Sequence, residues 1–382
     1  SSDLHIQYGV RMDGNKFSAG PNDNPEIERL FGSSNSSTPD RLYVSPRLGF
    51  SWTYGQGAQI PGFDGAIRGP RAVVRGGVGV FQNLPQSTLL GGALDNTGLP
   101  SAVQQLGCFG NTVPAQNWNN WLGNSGTVPG QCADGSVGSP FANTVPNVSL
   151  FAKDYAATRS VRSNLQWNGP VLGGRYTTSV DITYSRNLNQ PGTFDLNFSG
   201  TPRFTLAGEG GRPVYVPMTS IDPLTGAAAP RDSRIQSKFN VVNEARSDLQ
   251  SEAKQVTVRL SPMTFSSKLT WNASYVYGNV REQFRGFQST VADPRTVAWS
   301  RSGFDVRHQF QYTLGYNFFD AVRVSWFGTL RAGSPYTPLV GGDVNGDGLN
   351  NDRAFIANPA TTSDPALAAS MRTLLDNASG DA

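Results

Sequence analysis

Residues 303–332 carry an alternation of apolar and polar side chains that runs through two long stretches in succession. From residue 304 to residue 316 every second side chain is apolar, aromatic or histidine, and those between are almost all polar. After a short break at residues 317–321 the alternation resumes and continues to residue 332. Side chains alternate between the two faces of a strand, so these residues predict a hairpin of two amphipathic strands joined by a tight turn.

The length of these strands narrows the choice of fold. Strands of soluble proteins are usually about 5–6 residues long. Strands of about 9–11 residues or more, with one apolar face and one face carrying Arg, Asp and Gln, are typical of transmembrane β-barrels. The hairpin therefore favours a barrel that crosses a membrane with its strands.

The same alternation recurs along the chain, at residues 4–12, 44–54, 71–83, 158–168, 176–184, 239–260 and 269–277. Together with the hairpin these stretches predict nine or ten strands. The breaks after residues 167, 260 and 316 are short, whereas those after residues 12, 83, 184, 277 and 332 are long; the break after residue 54 is intermediate. Outer-membrane barrels have short turns on the periplasmic side and long loops outside the cell, and this alternation matches them.

Composition agrees with a barrel in lipid. Charged residues make up only 15% of the chain and hydrophobic residues only 37%, whereas a soluble globular protein usually carries about 25% charged residues. The difference is filled by small and neutral polar residues, among them 43 glycines and 25 prolines. A net charge of +3 is too small to indicate a nucleic-acid partner. The expected environment is the lipid of the bacterial outer membrane.

The predicted fold class is all-β, an antiparallel transmembrane β-barrel with long extracellular loops. Residues 1–340 are expected to supply the strands and loops, with one helical turn at residues 25–31. Residues 341–382 are expected to form an extracellular loop and tail, with a helix at residues 364–377. Bacterial barrels have an even number of strands and must close. Nine strands that begin at once and end in a polar tail therefore predict a segment of a larger barrel.

Residues 84–153 have little periodicity and contain the two cysteines of the chain, Cys108 and Cys132. A loop of this length is unusual in a compact soluble domain, but outer-membrane barrels accommodate long extracellular loops. In an exported protein such a pair predicts a disulfide that fixes the loop. Two free thiols are the alternative, and no His or Asp stands nearby at zinc spacing.

The sharpest local motif lies at residues 342–352. Asp343, Asn345 and Asp347 occupy the first, third and fifth places of a calcium-binding loop. The predicted calcium ligands are Asp343, Asn345, Asp347, Asp352 and the carbonyl oxygen of Leu349. The final Glu of an EF-hand is missing. The alternative is an extracellular turn rich in Asp, Asn and Gly, whose carboxylates cap backbone amides.

Charged side chains also fall on the polar faces of the predicted strands. They are Arg11, Arg47, Arg75, Arg162, Asp181, Arg259, Asp305, Arg307, Arg323 and Arg331. Two interpretations stay open for them: a solvated or plug-facing lumen wall, or a lining that guides an ion or substrate. No Gly-x-Ser-x-Gly, metal-binding His pair or phosphate loop occurs. The sequence therefore predicts no enzyme.

Several segments near the two ends resemble one family. Near the start they are YGVRMD at residues 8–13, NPEIERLFG at 24–32 and SPRLGFSW at 45–52. Near the end they are GSPYTP at residues 333–338, GDVNGDG at 342–348 and NDRAF at 351–355. All are similar to the mid-barrel and a later extracellular loop of Oar-like TonB-dependent receptors. The resemblance implies a 22-stranded outer-membrane barrel, a plug, an N-terminal carboxypeptidase-regulatory-like domain and energy from the TonB complex.

From these observations we expect the middle-to-late barrel portion of an Oar-like TonB-dependent outer-membrane transporter. It would take up or export a substrate that the sequence does not identify. Two other functions remain open. One is a structural or adhesive surface protein whose barrel anchors large loops, and the other is a passive porin, which needs no plug.

Overall fold

The structure is a computed structural model that describes residues 3–57, 68, 71–99, 102, 108, 110–135, 145–224, 226–263, 268–286, 293–319 and 321–379. Its first seven strands are β1 (Leu4–Asn15), β2 (Arg41–Tyr54), β3 (Ala72–Gln82), β4 (Val148–Phe151), β5 (Arg159–Val171), β6 (Tyr176–Asp195) and β7 (Phe204–Leu206). The others are β8 (Arg212–Val214), β9 (Val242–Pro262), β10 (Leu269–Arg285), β11 (Val297–Arg301), β12 (His308–Phe318) and β13 (Val322–Arg331). The α-helices are α1 (Pro25–Phe31), α2 (Ser87–Asp95), α3 (Trp118–Gly123) and α4 (Pro365–Ser379).

One large sheet organises the described residues. Its strands lie in the order β1-β2-β3-β5-β6-β9-β10-β12-β13, and each pairs antiparallel with its neighbours. We call these nine strands the wall. Outside this path, β11 pairs antiparallel with β10 and β4 pairs parallel with β9. The antiparallel all-β fold predicted from the alternation is confirmed.

The predicted hairpin is β12 and β13, and its register places Phe310 opposite Leu330 and Tyr316 opposite Val324. The first strand begins at His308, not at residue 304 as the alternation predicts. The reason lies in Asp305, whose carboxylate accepts hydrogen bonds from the Val280 amide and the Arg301 guanidinium. These bonds hold residues 302–307 in a bend before the strand. Asp320, in the turn between the two strands, lies outside the described residues.

Strand β6 extends well beyond residue 184, its predicted end, whereas β9 lies close to its predicted range. β6 contains 20 residues and β9 contains 21. They pair from Tyr176 opposite Pro262 as far as Asp195 opposite Asn243, with irregularities between residues 187 and 192. The predicted loop at residues 190–237 therefore begins later, because its first residues continue the ladder of β6.

Within the described residues, one face of the wall exposes large apolar side chains and the other exposes charged ones. On the apolar face Val10 is 69% exposed, Leu48 51% and Trp326 65%. Arginines project from the other face; the side chain of Arg11 is 66% exposed and that of Arg259 is 58% exposed. A continuous exposed apolar surface of this kind is the part of a barrel that contacts lipid.

One edge of the wall bears the connections at residues 16–40, 83–158, 196–241 and 286–307. The opposite edge bears the shorter ones, of which residues 55–71 are the longest. We call the described residues of 16–40, 83–158, 196–241, 286–307 and 332–357 the loop layer. The buried apolar residues lie mainly here and at the adjoining end of β9. One cluster joins Ile27 of α1, Leu150 of β4 and Phe239, each at most 3% exposed. Residues about two hundred positions apart in the chain thus form one core.

The two predicted helices are present as α1 and α4. Asn24 caps α1 by accepting a hydrogen bond from the Glu26 amide, and Gly32 ends it in the left-handed region. Among the described residues, no helix is both long enough and apolar enough to cross a membrane. The predicted division of the chain at residue 340 stays a prediction.

Candidate functional site

The polar face of the wall forms a regular grid of side chains, because the register aligns residues of neighbouring strands in rows. One row crosses β1 to β6 as Gly9, Arg47, Gly79, Arg162 and Ser185. Two arginines thus alternate with small residues. The row is one side of an open groove of about 770 Å³ on this face.

The adjacent row of the grid is neutral. It consists of Gln7, Gly49, Gly77, Asn164 and Thr183. Amide and hydroxyl groups therefore stand next to the arginine row, and two glycines leave the sheet backbone uncovered between them. The groove combines positive charge, neutral hydrogen-bonding groups and a bare floor.

Other predicted lining residues have carboxylate partners. Arg11 forms an ion pair with Asp13 at 2.8 Å, and Arg259 forms one with Asp181 at 3.0 Å. Both arginine side chains are more than half exposed. Exposed pairs of this kind contribute little to stability, and they leave little net positive charge on their part of the polar face.

Asp305 and Arg307 do not belong to the polar face of a strand. Both lie in the bend before β12, where Asp305 is fully buried. Its carboxylate accepts hydrogen bonds from Arg301 and Arg307, each at 2.8 Å, and from the amide of Val280. Their arrangement fixes the entry to β12, and their role as lining stays a prediction.

Arg323 and Arg331 lie on the polar face of β13, opposite Asn317 and Gln309 of β12. Arg75 lies on the same face of β3, opposite Ser51 of β2. The structure therefore gathers Arg47 and Arg162 in one groove and spreads the other predicted lining residues along the wall.

Residues 342–352, which we call the Asp343 loop, fold around their own carboxylates. The two oxygens of Asp343 accept hydrogen bonds from the amides of Gly346 and Gly348, at 2.6 and 2.8 Å. Asp347 accepts one from the amide of Leu349 at 2.9 Å. Backbone amides thus occupy carboxylate oxygens that the calcium prediction assigns to the ion.

The last carboxylate of the motif, Asp352, closes the loop on itself. Its Oδ2 accepts hydrogen bonds from the amides of Val344 and Asn345, at 2.8 and 3.2 Å. Its Oδ1 accepts a bond from Arg212 at 3.3 Å, and both partners of this ion pair are buried. A charge pair removed from water is costly unless its hydrogen bonds are made, and these contacts supply them.

The loop is also seated against residues 195–234. The amide of Tyr215 donates to the Asn345 carbonyl at 2.8 Å, and Arg234 donates to the Asp347 carbonyl at 3.2 Å. Arg234 in turn pairs with Asp195, and both are nearly buried. The Asp343 loop is therefore an integral part of the loop layer.

Burial changes the acidity of this loop. It raises the pKa of Asp347 to about 7, and the neighbouring carboxylates of Asp343 and Asp352 contribute in the same direction. Burial also raises the pKa of Asp343 and that of Asp352. Within the described residues, no three His, Cys, Asp or Glu side chains are grouped so as to hold a metal ion. Calcium binding by this loop stays a prediction.

Cys108 and Cys132 are joined by a disulfide, with their Cα atoms 5.7 Å apart. Between them α3 carries Trp118 and Trp121, whose rings pack edge to face at 5.1 Å. Residues 103–107 and 136–144 of the predicted long loop lie outside the described residues. The bond holds the α3 segment as a closed loop.

Two features of the site have no clear signal in the local sequence. Phe81 is an aromatic residue on the polar face of β3, beside Arg47 and Arg162. The Asp195–Arg234 pair joins residues 39 positions apart. Phe81 could have been found by extending the alternation of β3 through its glycines, which places residues 75, 77, 79 and 81 on one face. The Asp195 pair depends on the fold of the loop layer.

Comparison with known proteins places the chain in a family. Residues 13–374 match the model of an outer membrane beta barrel domain. No curated protein matches the sequence.

Three solved structures are similar at low identity. The FrpB iron transporter of Neisseria meningitidis is 10% identical over 86% of this chain and 30% of its own, with a TM-score of 0.40. The outer membrane transporter YddB of Escherichia coli is 7% identical over 79% and 30%, with a TM-score of 0.42. The siderophore receptor PirA of Pseudomonas aeruginosa is 13% identical over 86% and 40%, with a TM-score of 0.34. The chain thus spans well under half the length of these proteins. Since the family model covers nearly the whole sequence, the chain belongs to the outer membrane beta barrel domain family.

Proposed function

We propose that this chain is part of the barrel of an outer-membrane transporter, with its polar face on the solute path and its loop layer outside the cell. The observation that carries the proposal is the polarity of the wall. One face is apolar and exposed, and the other carries a groove with two arginines and neutral hydrogen-bonding groups. An apolar exterior and a polar interior are the arrangement of barrels that pass solutes.

The finer proposal is that the transporter is TonB-dependent and Oar-like, with a plug supplied by another part of the protein. It rests on the resemblance of the segments at residues 8–52 and 333–355. Outer-membrane lipid would contact the apolar face, and the TonB complex would be the energy-supplying partner. The substrate and the direction of transport are not part of the proposal.

A genetic comparison tests this proposal. Strains lacking the full-length gene, and strains lacking TonB, would be compared with the parent by untargeted analysis of the growth medium. We expect at least one solute to change in the same direction in both mutants. A change seen only without this gene would contradict TonB dependence. Weakened surface attachment with no change in any solute would favour the adhesive alternative.

A passive porin and a plugged transporter are expected to differ in the conductance of the intact protein. The purified full-length protein would be inserted into a planar lipid bilayer and its conductance recorded. A plugged transporter is expected to be closed, and to conduct only after its plug is deleted or unfolded. Steady conductance by the intact protein would identify a passive pore. The full-length reading frame offers a further check, since a plug sequence and a TonB box are expected ahead of the barrel.

A further inference from the structure

Arg47 and Arg162 are cations without an anionic partner within the part of the chain that the structure describes. Neither guanidinium group forms an ion pair or a hydrogen bond there. The described residues that line their groove include no Asp or Glu. By contrast, Arg11 and Arg259 on the same face have carboxylates at 2.8 and 3.0 Å. The groove is therefore a place where positive charge has been left unneutralised by the wall itself.

The two guanidinium groups converge on one aromatic ring. The guanidinium carbon of Arg47 lies 4.4 Å from the centre of the Phe81 ring, and that of Arg162 lies 5.3 Å from the same centre. They are therefore no more than about 10 Å apart, which is roughly one Debye length at 0.1 M salt. An aromatic face stabilises a cation, but it accepts none of the N–H hydrogen bonds of a guanidinium. Each arginine keeps its donors available.

The floor between the two arginines is glycine. A Cβ atom added at Gly79 would come within 3.1 Å of Arg47 Cγ and 3.2 Å of Phe81 Cε2. One added at Gly77 would come within 3.0 Å of the Leu48 carbonyl oxygen. Glycine inside a strand weakens it and often marks a place where another group approaches the backbone closely. Here the missing side chain lets Arg47 and Phe81 pack against the strand at Gly79, where a Cβ would press on both.

Neutral hydrogen-bonding groups complete the groove. Asn164 and Gln7 stand in the row next to the arginines, and Ser185 stands in the same row as Arg162. A planar guanidinium presents its N–H groups as a fork that fits two oxygens of a carboxylate or phosphate. The combination of two such forks, small neighbours and neutral polar groups suits an oxyanion.

We propose that Arg47 and Arg162 bind the phosphate or carboxylate group of a small solute in the groove that they line, with Phe81 holding the two guanidinium groups in place. The binding site stands on the geometry of the wall. Its location on a transport path rests on the proposed function. Equilibrium binding and cellular uptake are measured separately, so either idea can fail without the other.

The test uses the full-length protein, purified in a detergent that contains no phosphate. Inorganic phosphate and citrate would be titrated separately by calorimetry. Variants Arg47→Gln and Arg162→Gln are each expected to weaken binding about tenfold, because each removes a charge-assisted hydrogen-bonding group. The double variant is expected to abolish measurable binding. Arg323→Gln is the matched control: it removes one polar-face arginine from β13, five strands away from β5 in the sheet order, and should leave the affinity unchanged.

Binding of either probe that is lost in the double variant supports the site and indicates which oxyanion it prefers. Absence of binding to the intact protein overturns it, as does equal binding by the intact protein and the double variant. Two further variants separate charge from geometry. Arg47→Lys keeps the charge without the fork and should lose part of the affinity. Gly79→Ala keeps both arginines but its Cβ would press on Arg47 and Phe81, so it should also weaken binding. The shift of the folded barrel on a gel of unheated samples verifies that every variant is folded.

Discussion

The wall and the loop layer are stabilised in different ways, although the same strands run into both. In the wall Leu48 is 51% exposed, and stability comes from backbone hydrogen bonds between neighbouring strands. In the loop layer Leu150 is 1% exposed and the charge pair Arg212–Asp352 is buried. Arg234 of this layer forms a second buried pair with Asp195, the last residue of β6. The wall therefore relies on the lipid around it, whereas the loop layer has a core of its own. A substitution that destabilises the loop layer should therefore leave the stability of the wall unchanged, and the reverse should also hold.

The largest expected effect comes from Asp195→Ala. This carboxylate accepts hydrogen bonds from the amides of Asn197 and Val242, and it pairs with buried Arg234. Its removal leaves a buried cation, which is expected to cost about 3–5 kcal/mol of local stability. Hydrogen–deuterium exchange of residues 196–241 in the full-length protein should accelerate strongly. Matching acceleration in β12 and β13 would contradict the separation of the two regions.

A pair of leucine substitutions compares the regions directly. Leu150→Ala should destabilise the loop layer by about 2–5 kcal/mol, because it leaves a cavity in a packed cluster. Leu48→Ala is the matched control on the apolar face of the wall, where the side chain is half exposed. It should leave exchange in the loop layer unchanged. Equal effects of the two substitutions on the loop layer would mean that its core is not independent of the wall.

Gly346→Ala is expected to have an intermediate effect. Gly346 has a φ of 75°, and a Cβ there would come within 2.8 Å of both methyl groups of Val216. A non-glycine residue forced into such a conformation costs about 1–3 kcal/mol. Gly333→Ala serves as the control, since a Cβ at that position meets nothing within 4 Å. Protease cleavage within residues 342–352 should increase only in the first variant.

The smallest effect concerns pH and calcium. In metal-free buffer the folded loop holds a proton on Asp347, whose pKa is raised from 3.8 to about 7. Between these pH values the folded state binds more protons than the unfolded state. The loop should therefore lose stability, and its amides should lose protection from hydrogen–deuterium exchange, as pH rises from 3.8 to about 7. Asp347→Asn keeps the side-chain acceptor for the Leu349 amide and should flatten this profile. Protection that increases over this range would contradict the assignment.

Calcium should oppose that decline, because the ion requires ionised carboxylates. At about pH 8, millimolar calcium is expected to restore protection of residues 342–352, while the same concentration of magnesium is not. Unchanged exchange with calcium would refute the calcium prediction and leave the capping of backbone amides as the role of these carboxylates. Leu48→Ala should respond like the parent protein.

The wall could be predicted from the sequence because its signal is local. A period of two identifies each strand, and the lengths of the breaks predict which strands pair as hairpins. The start of β12 could not be predicted in this way, since residues 304–307 continue the alternation while Asp305 holds them in a bend. The length of β6 exceeds the prediction, because Pro191 and Gly192 resemble loop residues yet lie within the strand.

The loop layer could not be predicted, because its contacts are distant in sequence. Leu150 meets Ile27 and Phe239 only after three separate connections fold together. The motif at residues 342–352 was recognised, but its seating against Tyr215 and Arg234 depends on that folding. In the groove the two arginines were predicted to line the wall. Their convergence on Phe81 required the register across three strands.

The paired length of β6 and β9 has a mechanical consequence. A strand of 20 residues extends roughly 65 Å, or about 45 Å along the membrane normal at a tilt of 45°, while the apolar band of a barrel is about 25 Å tall. The two strands therefore extend about 20 Å beyond the apolar band of the barrel. The loop layer is thereby held away from the lipid by a ladder of backbone hydrogen bonds between β6 and β9.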